Sequence, residues 1–188
     1  MTTLRLLTLT TALALAACTT AETYYRLSSD GPVPANLSGF SLGVGPVTLP
    51  DYIDRGEVVF QSEANRFEVP YDHRWAGSLR ETTTRVLGTN LARRLGTGNL
   101  HLHPWAPGTT VRYQVSVDVR QFHAVSGGDA ILQTAWRVED TQSGRVVVRQ
   151  AGNFTEPVQG DGYEAVVAAE SRLLAQLADA IAAGFPRR

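Results

Sequence analysis

The sequence predicts an α+β fold, a single domain in which a mixed or antiparallel sheet carries two long helices packed on one face. Three observations predict it. Strand-like and helix-like segments follow in the order strands, helix, strands, helix. Residues 74–95 and 162–183 place apolar side chains at helical spacing. Residues 111–120 alternate with period two between them.

Taken in order, residues 24–27 open the domain as a short strand, followed by a turn-rich stretch holding Pro32 and Pro34. Phe40, Leu42 and Val44 alternate with small residues as a second strand, which Gly45-Pro46 and Leu49-Pro50 should end. Residues 51–54 can form one helical turn, and residues 58–61 and 66–69 read as a hairpin. The first helix is expected over 74–95, with Asp72 as N-cap, Glu81 pairing with Arg85, and Trp75, Leu79, Val86, Leu87, Leu91 and Leu95 on one stripe. Gly96-Thr97-Gly98 stops it. Val111, Tyr113, Val115, Val117 and Val119 then form the dry face of the cleanest strand. Turns at 126–129 and 141–144 lead into strands around Trp136 and at 145–151, an antiparallel meander. The last helix spans about 162–183, with Asp161 and Glu164 at capping-box spacing and Val166, Leu173, Leu177 and Ile181 inward.

Residues 1–17 read as a secretory leader: Arg5, then an apolar run too short to cross a bilayer, then Ala16 and Ala17. Cys18, the single cysteine, follows directly. The tetrapeptide Leu15-Ala16-Ala17-Cys18 is similar to a bacterial lipobox. That resemblance implies a diacylated Cys18 sulfur, cleavage before it, and acylation of the new amino end, with palmitate as a typical chain. The competing reading is an ordinary signal peptide with a chance cysteine. Thr19 stands where inner-membrane lipoproteins commonly carry Asp, so the resemblance favours the outer membrane, with the domain facing the periplasm.

Removing residues 1–17 leaves 188 − 17 = 171 residues, enough for one domain with its own core. Residues 18–23 form a short tether and 24–188 the domain. An extended tether reaches at most ~15–20 Å, so the domain should sit close to its membrane. The net charge is −1, and loss of Arg5 takes it to −2. No basic excess points to nucleic acid.

Residues that could carry chemistry are few. There is no nucleophile elbow or phosphate loop, so neither catalysis nor a cofactor is expected. His101 and His103 could share a face and take His73 or His123 as further zinc ligands, but no Cys or Glu is patterned with them, so no metal site is expected. Asp51, Asp54 and Glu57 are either an acid–base cluster or a solvated loop. Trp75 and Trp136 belong to the core. Trp105, between Pro104 and Pro107, is a partner anchor or touches lipid headgroups.

The stretch from Val44 to Arg55, ending Leu-Pro-Asp-Tyr-Ile-Asp-Arg, resembles the PqiC/YmbA family of ABC-transport auxiliary lipoproteins. Tyr24-Tyr25-Arg26-Leu27, Asn65-Arg66-Phe67, Arg74-Trp75-Ala76-Gly77-Ser78-Leu79, Asn90-Leu91-Ala92-Arg93 and the strand from Val111 to Phe122 fit in order. The resemblance implies an outer-membrane component of an envelope lipid-transport system. Its partners would be a periplasm-spanning MCE-domain protein and inner-membrane transporter subunits, in support of membrane integrity. A ring-forming partner implies a homo-oligomer. Tyr52, Asp54, Arg55, Asn65 and Arg66 are candidates for the docking or self-association surface, with Trp105 a sixth. The plainer reading is that Tyr52 packs and Asp54–Arg55 only fixes a turn. A structural or regulatory adaptor for a secretin or for cell-wall machinery is the other function class. It would want a longer linker.

Overall fold

The computed structural model describes residues 21–36 and 39–186. The leader and Cys18 lie outside the described residues. The strands are β1 (Thr23–Tyr25), β2 (Leu42–Thr48), β3 (Phe60–Glu63), β4 (Arg66–Glu68), β5 (His73–Trp75), β6 (Leu100–Leu102), β7 (Tyr113–Val125), β8 (Asp129–Asp140) and β9 (Arg145–Pro157). The helices are α1 (Leu79–Leu95), between β5 and β6, and α2 (Gly162–Ala183), after β9.

The seven-stranded sheet is mixed, with β7 at its centre. One edge of β7 pairs antiparallel with β8, which pairs with β9, giving the expected meander. The other edge is shared in sequence. Parallel β2 covers residues 113–118 and parallel β3 covers Ala124 and Val125. β6 lies outside β2, and β4 outside β3. β1 and β5 form a separate parallel pair.

Both helices cover one face of this sheet, as the apolar stripes predict. α1 rests on β2 and β6, α2 on β7, β8 and β9, and the helices pack on each other. Leu87, Leu91, Leu173, Leu177 and Ile181 are fully buried beneath them against Val115, Leu132 and Val138. Such side chains each contribute about 1.5–3 kcal/mol by leaving water.

Four local expectations change. α1 begins five residues late: Ser78 is the N-cap, its side chain accepting from Glu81 N (3.2 Å), while Arg74 and Trp75 belong to β5. A β partner competes for this segment, since Trp75 N donates to Gly56 O at 2.8 Å. Trp75 is buried all the same, from a strand. Glu81 and Arg85 form no ion pair. β2 does not end at Gly45-Pro46. The ladder shifts register there, Gly45 takes φ 121°, and its carbonyl accepts from Gln114 Nε2 at 2.8 Å. A Cβ at Gly45 would lie 2.4 Å from that of His103, so glycine alone fits. Asp161 is the N-cap of α2, but its side chain makes no capping bond.

Candidate functional site

The site forms at the end of β7 where its strand phase changes. Up to Val119 the odd-numbered side chains face the helices. A bulge between Val119 and Gln121 shifts the register, so Phe122 and Ala124 take over that face, opposite Leu132 and Ala130. His123 is thereby turned to the face away from the helices, yet it is fully buried. Tyr52 and the β3–β4 hairpin bury it there.

Pro50 starts the covering turn: its carbonyl accepts from Ile53 N and Asp54 N, both at 3.1 Å, and buried Ile53 pins the turn to the core. The Tyr52 hydroxyl then lies 3.0 Å from His123 Nδ1, and Gln61 Oε1 lies 3.1 Å from His123 Nε2. Gln61 Nε2 already donates to Glu63 O and Ala64 O, so Oε1 is an acceptor. His123 is therefore the neutral tautomer with its proton on Nε2, and Nδ1 accepts from Tyr52. Burial pushes the His123 pKa down to about 4 and raises that of Tyr52. Phe67 closes the cluster, 4.8 Å from the Tyr52 ring and 5.0 Å, edge-on, from His123.

The charged candidates ring this cluster. Asp54 is ion-paired with Arg80 of α1. Arg55 donates to Glu57 Oε2 (2.8 Å), and Arg74 donates to Glu57 Oε1 (2.8 Å). The Arg55 bond leads in holding the Glu57 carboxyl below its ordinary pKa. Asp54 and Glu57 are thus held by separate arginines, while Asp51 is exposed. Asn65 sits in the exposed hairpin turn, beside Arg66, which pairs with Glu63 (2.9 Å). Tyr52 packs and Asp54 ties its turn to a helix, while Arg55, Asn65, Arg66 and Phe67 stay exposed.

Trp105 lies elsewhere. Its half-buried ring covers Gly43, where an added Cβ would meet it at 3.1 Å, and it stands edge-on to His103 at 5.4 Å. Gly43 is in register with Gln114, nine residues before His123 on β7, a separation of ~30 Å. His101 hydrogen-bonds Asn99 (2.9 Å). Among the described residues, no three His, Cys, Asp or Glu side chains gather as a metal site. Sequence reading missed Gln61 and Phe67, and took His123 only as a possible ligand, because its burial depends on a bulge that leaves no mark in the residue pattern.

A mixed sheet with two helices on one face, and the Pro50–Asp54 turn and the β3–β4 hairpin packed over the other at one end, defines a small α+β module. The family model for the ABC-type transport auxiliary lipoprotein component matches residues 25–182, and the chain belongs to that family. A crystal structure of an uncharacterized protein superposes with TM-score 0.71 at 22% identity, covering 87% of this chain and 98% of that one. Protein XCC0632 from Xanthomonas campestris, of family DUF330, superposes with TM-score 0.65 at 18% identity, covering 85% and 92%. A PelC dodecamer from Paraburkholderia phytofirmans reaches TM-score 0.48 at 14% identity, covering 84% and 95%. The first two structures share the fold of this chain. No curated protein matches the chain. The chain is thus an auxiliary component of ABC-type transport, of the lipoprotein type, and among the described residues no helix is long and apolar enough to cross a membrane.

Proposed function

We propose that this protein is the outer-membrane lipoprotein of an MCE/ABC-type envelope lipid-transport system, and that it docks the periplasm-spanning MCE-domain protein there. In this reading residues 1–17 are cleaved, Cys18 carries the acyl chains, residues 18–23 are the tether, and the domain from residue 24 is a non-catalytic binding module facing the periplasm. The observation that carries the reading is the family match over residues 25–182 in a chain whose Cys18 lies three residues from the described domain. A module held so close to one membrane can only meet the end of something that crosses to it. The anchor then supplies a high effective concentration at that surface.

Arg55, Asn65, Arg66 and Phe67 supply the docking surface, supported from below by Tyr52 and Asp54. A ring-shaped partner would be met by several copies of the chain, so we propose a homo-oligomer. Affinity purification of the acylated protein from detergent-solubilised membranes tests the reading. The MCE-domain protein and the inner-membrane permease should be identified by mass in the eluate. Their loss with a Tyr52→Ala/Arg55→Ala variant of unchanged circular dichroism supports the surface, and unchanged recovery removes it. Absence of both partners with the wild-type chain overturns the reading.

A further inference from the structure

We propose that the end of the domain carrying Tyr24, Val69 and Tyr71 is a seat for the bilayer surface and contacts neutral phospholipid headgroups. The proposal rests on the reading of Cys18 as the acylated residue and goes beyond it by naming the face that meets lipid. An extended chain spans at most ~3.5 Å per residue, so Cys18 lies within ~11 Å of Ala21. The chain joins the domain two residues later, where Thr23 N donates to Asp72 O at 2.8 Å and Thr23 is in register with His73. Whatever surrounds β1 and β5 is therefore held at the membrane.

What surrounds them is apolar and exposed. Among the described residues, six large hydrophobic side chains are exposed. Tyr71 (69%) and Tyr24 (57%) flank the Thr23–Asp72 bond, and Val69 (40%) continues the strip; Phe67 (39%), farther back in β4, belongs to the Tyr52–His123 cluster. The other two, Val146 and Val147, lie at the start of β9, near the opposite end of β7. A tyrosine ring has an apolar body and a polar tip, which suits the headgroup layer, where water is partly replaced by methylene groups. The charges nearby are mixed: Glu22, Glu68 and Asp72 stand against Arg66 and Arg74, and each arginine already pairs with a glutamate. The remaining carboxylates leave this end acidic, so anionic lipid repels it and neutral headgroups are its partner.

The test uses the acylated full chain in phosphatidylcholine vesicles doped with a nickel-chelating lipid. Acylation of Cys18 leaves an introduced cysteine as the only thiol. A spin label at Tyr71→Cys, and separately at Tyr24→Cys, should be relaxed by the surface nickel several-fold more strongly than one at Val147→Cys. Replacing part of the phosphatidylcholine with phosphatidylglycerol should lower that ratio or leave it unchanged, never raise it. Protein that floats with the vesicles while labels at 71, 24 and 147 relax alike overturns the seat and leaves the anchor intact. A ratio that rises steeply with anionic lipid overturns the neutral-headgroup assignment. Protein that does not float with vesicles at all overturns both the anchor and the seat.

Discussion

The two ends of β7 are closed by rings in different ways. At the far end Phe40, Tyr113 and Phe185 pack on one another at 5.1–5.5 Å, and Trp105 lies on Gly43. Ring packs against ring there, and the buried Thr97 hydroxyl donates to the Phe40 carbonyl rather than to a ring. At the C-terminal end of β7 the rings enclose a histidine. Tyr52, Phe67 and Gln61 must all be in place to bury His123 with both nitrogens satisfied. Apolar packing tolerates shape changes, whereas a buried polar trio is all or nothing. The His123 end is thus the end whose surface geometry is most strictly determined.

That contrast can be broken first by mutation. His123→Ala should cost about 3 kcal/mol, through lost packing and a Gln61 carbonyl left without its donor. Trp105→Ala, from a half-buried site, should cost about half as much. Chemical denaturation measures both, and the reverse order would show the far end to be the more demanding.

Titration sharpens the same point. His123 is held to about 4 when folded against 6.5 when unfolded, so the unfolded chain binds more protons in that window and stability falls as pH drops from 6.5 towards 4. Glu170, buried in α2, is pushed up to about 8 from 4.5, so the folded chain binds more protons and stability falls as pH rises from 4.5 to 8. Each is worth about 1.4 kcal/mol per pKa unit. Wild-type stability should therefore be nearly flat between pH 4.5 and 6.5 and fall above 6.5. Glu170→Gln should abolish the fall above 6.5 and expose the loss on the acid side. Thermal melts across pH 4.5–8 read both slopes, and an unchanged profile in the variant would remove Glu170 from the account.

Smaller effects follow. Gly43→Ala should cost about 1–2 kcal/mol, since its Cβ would lie 2.9 Å from Val111 Cγ2 and 3.1 Å from Trp105. A neutral result in urea titration would mean that the Trp105 loop yields freely. Arg66→Ala should change stability by less than about 1 kcal/mol, because its ion pair with Glu63 is solvated, while weakening partner recovery. Loss of stability without loss of partner would make Arg66 structural.

The meander and both helices were legible because their patterns run long. Val111 to Val119 alternates cleanly, and Leu173, Leu177 and Ile181 repeat at helical spacing. The first turn of α1 was misread because Arg74-Trp75 fits a helix locally, whereas a β1 partner some 50 residues earlier claims it. Gly45-Pro46 reads as a stop, yet side chains of β7 supply the bonds that the kinked strand lacks. Tyr52, Asp54, Arg55, Asn65 and Arg66 were legible as a group and do gather at one end. Trp105 separates from them because the sequence records its proline-bounded loop and not the direction of the strand beneath it. The His123 cluster was hidden because a register shift, not a residue type, turns that ring outward.

The central claim is that a lipid on Cys18 holds this module against a bilayer. The mass of the N-terminal peptide from membrane-extracted protein tests it most directly. The account predicts a peptide beginning at Cys18 that carries three acyl chains. A free Cys18 thiol, or a peptide still containing residues 1–17, would contradict it.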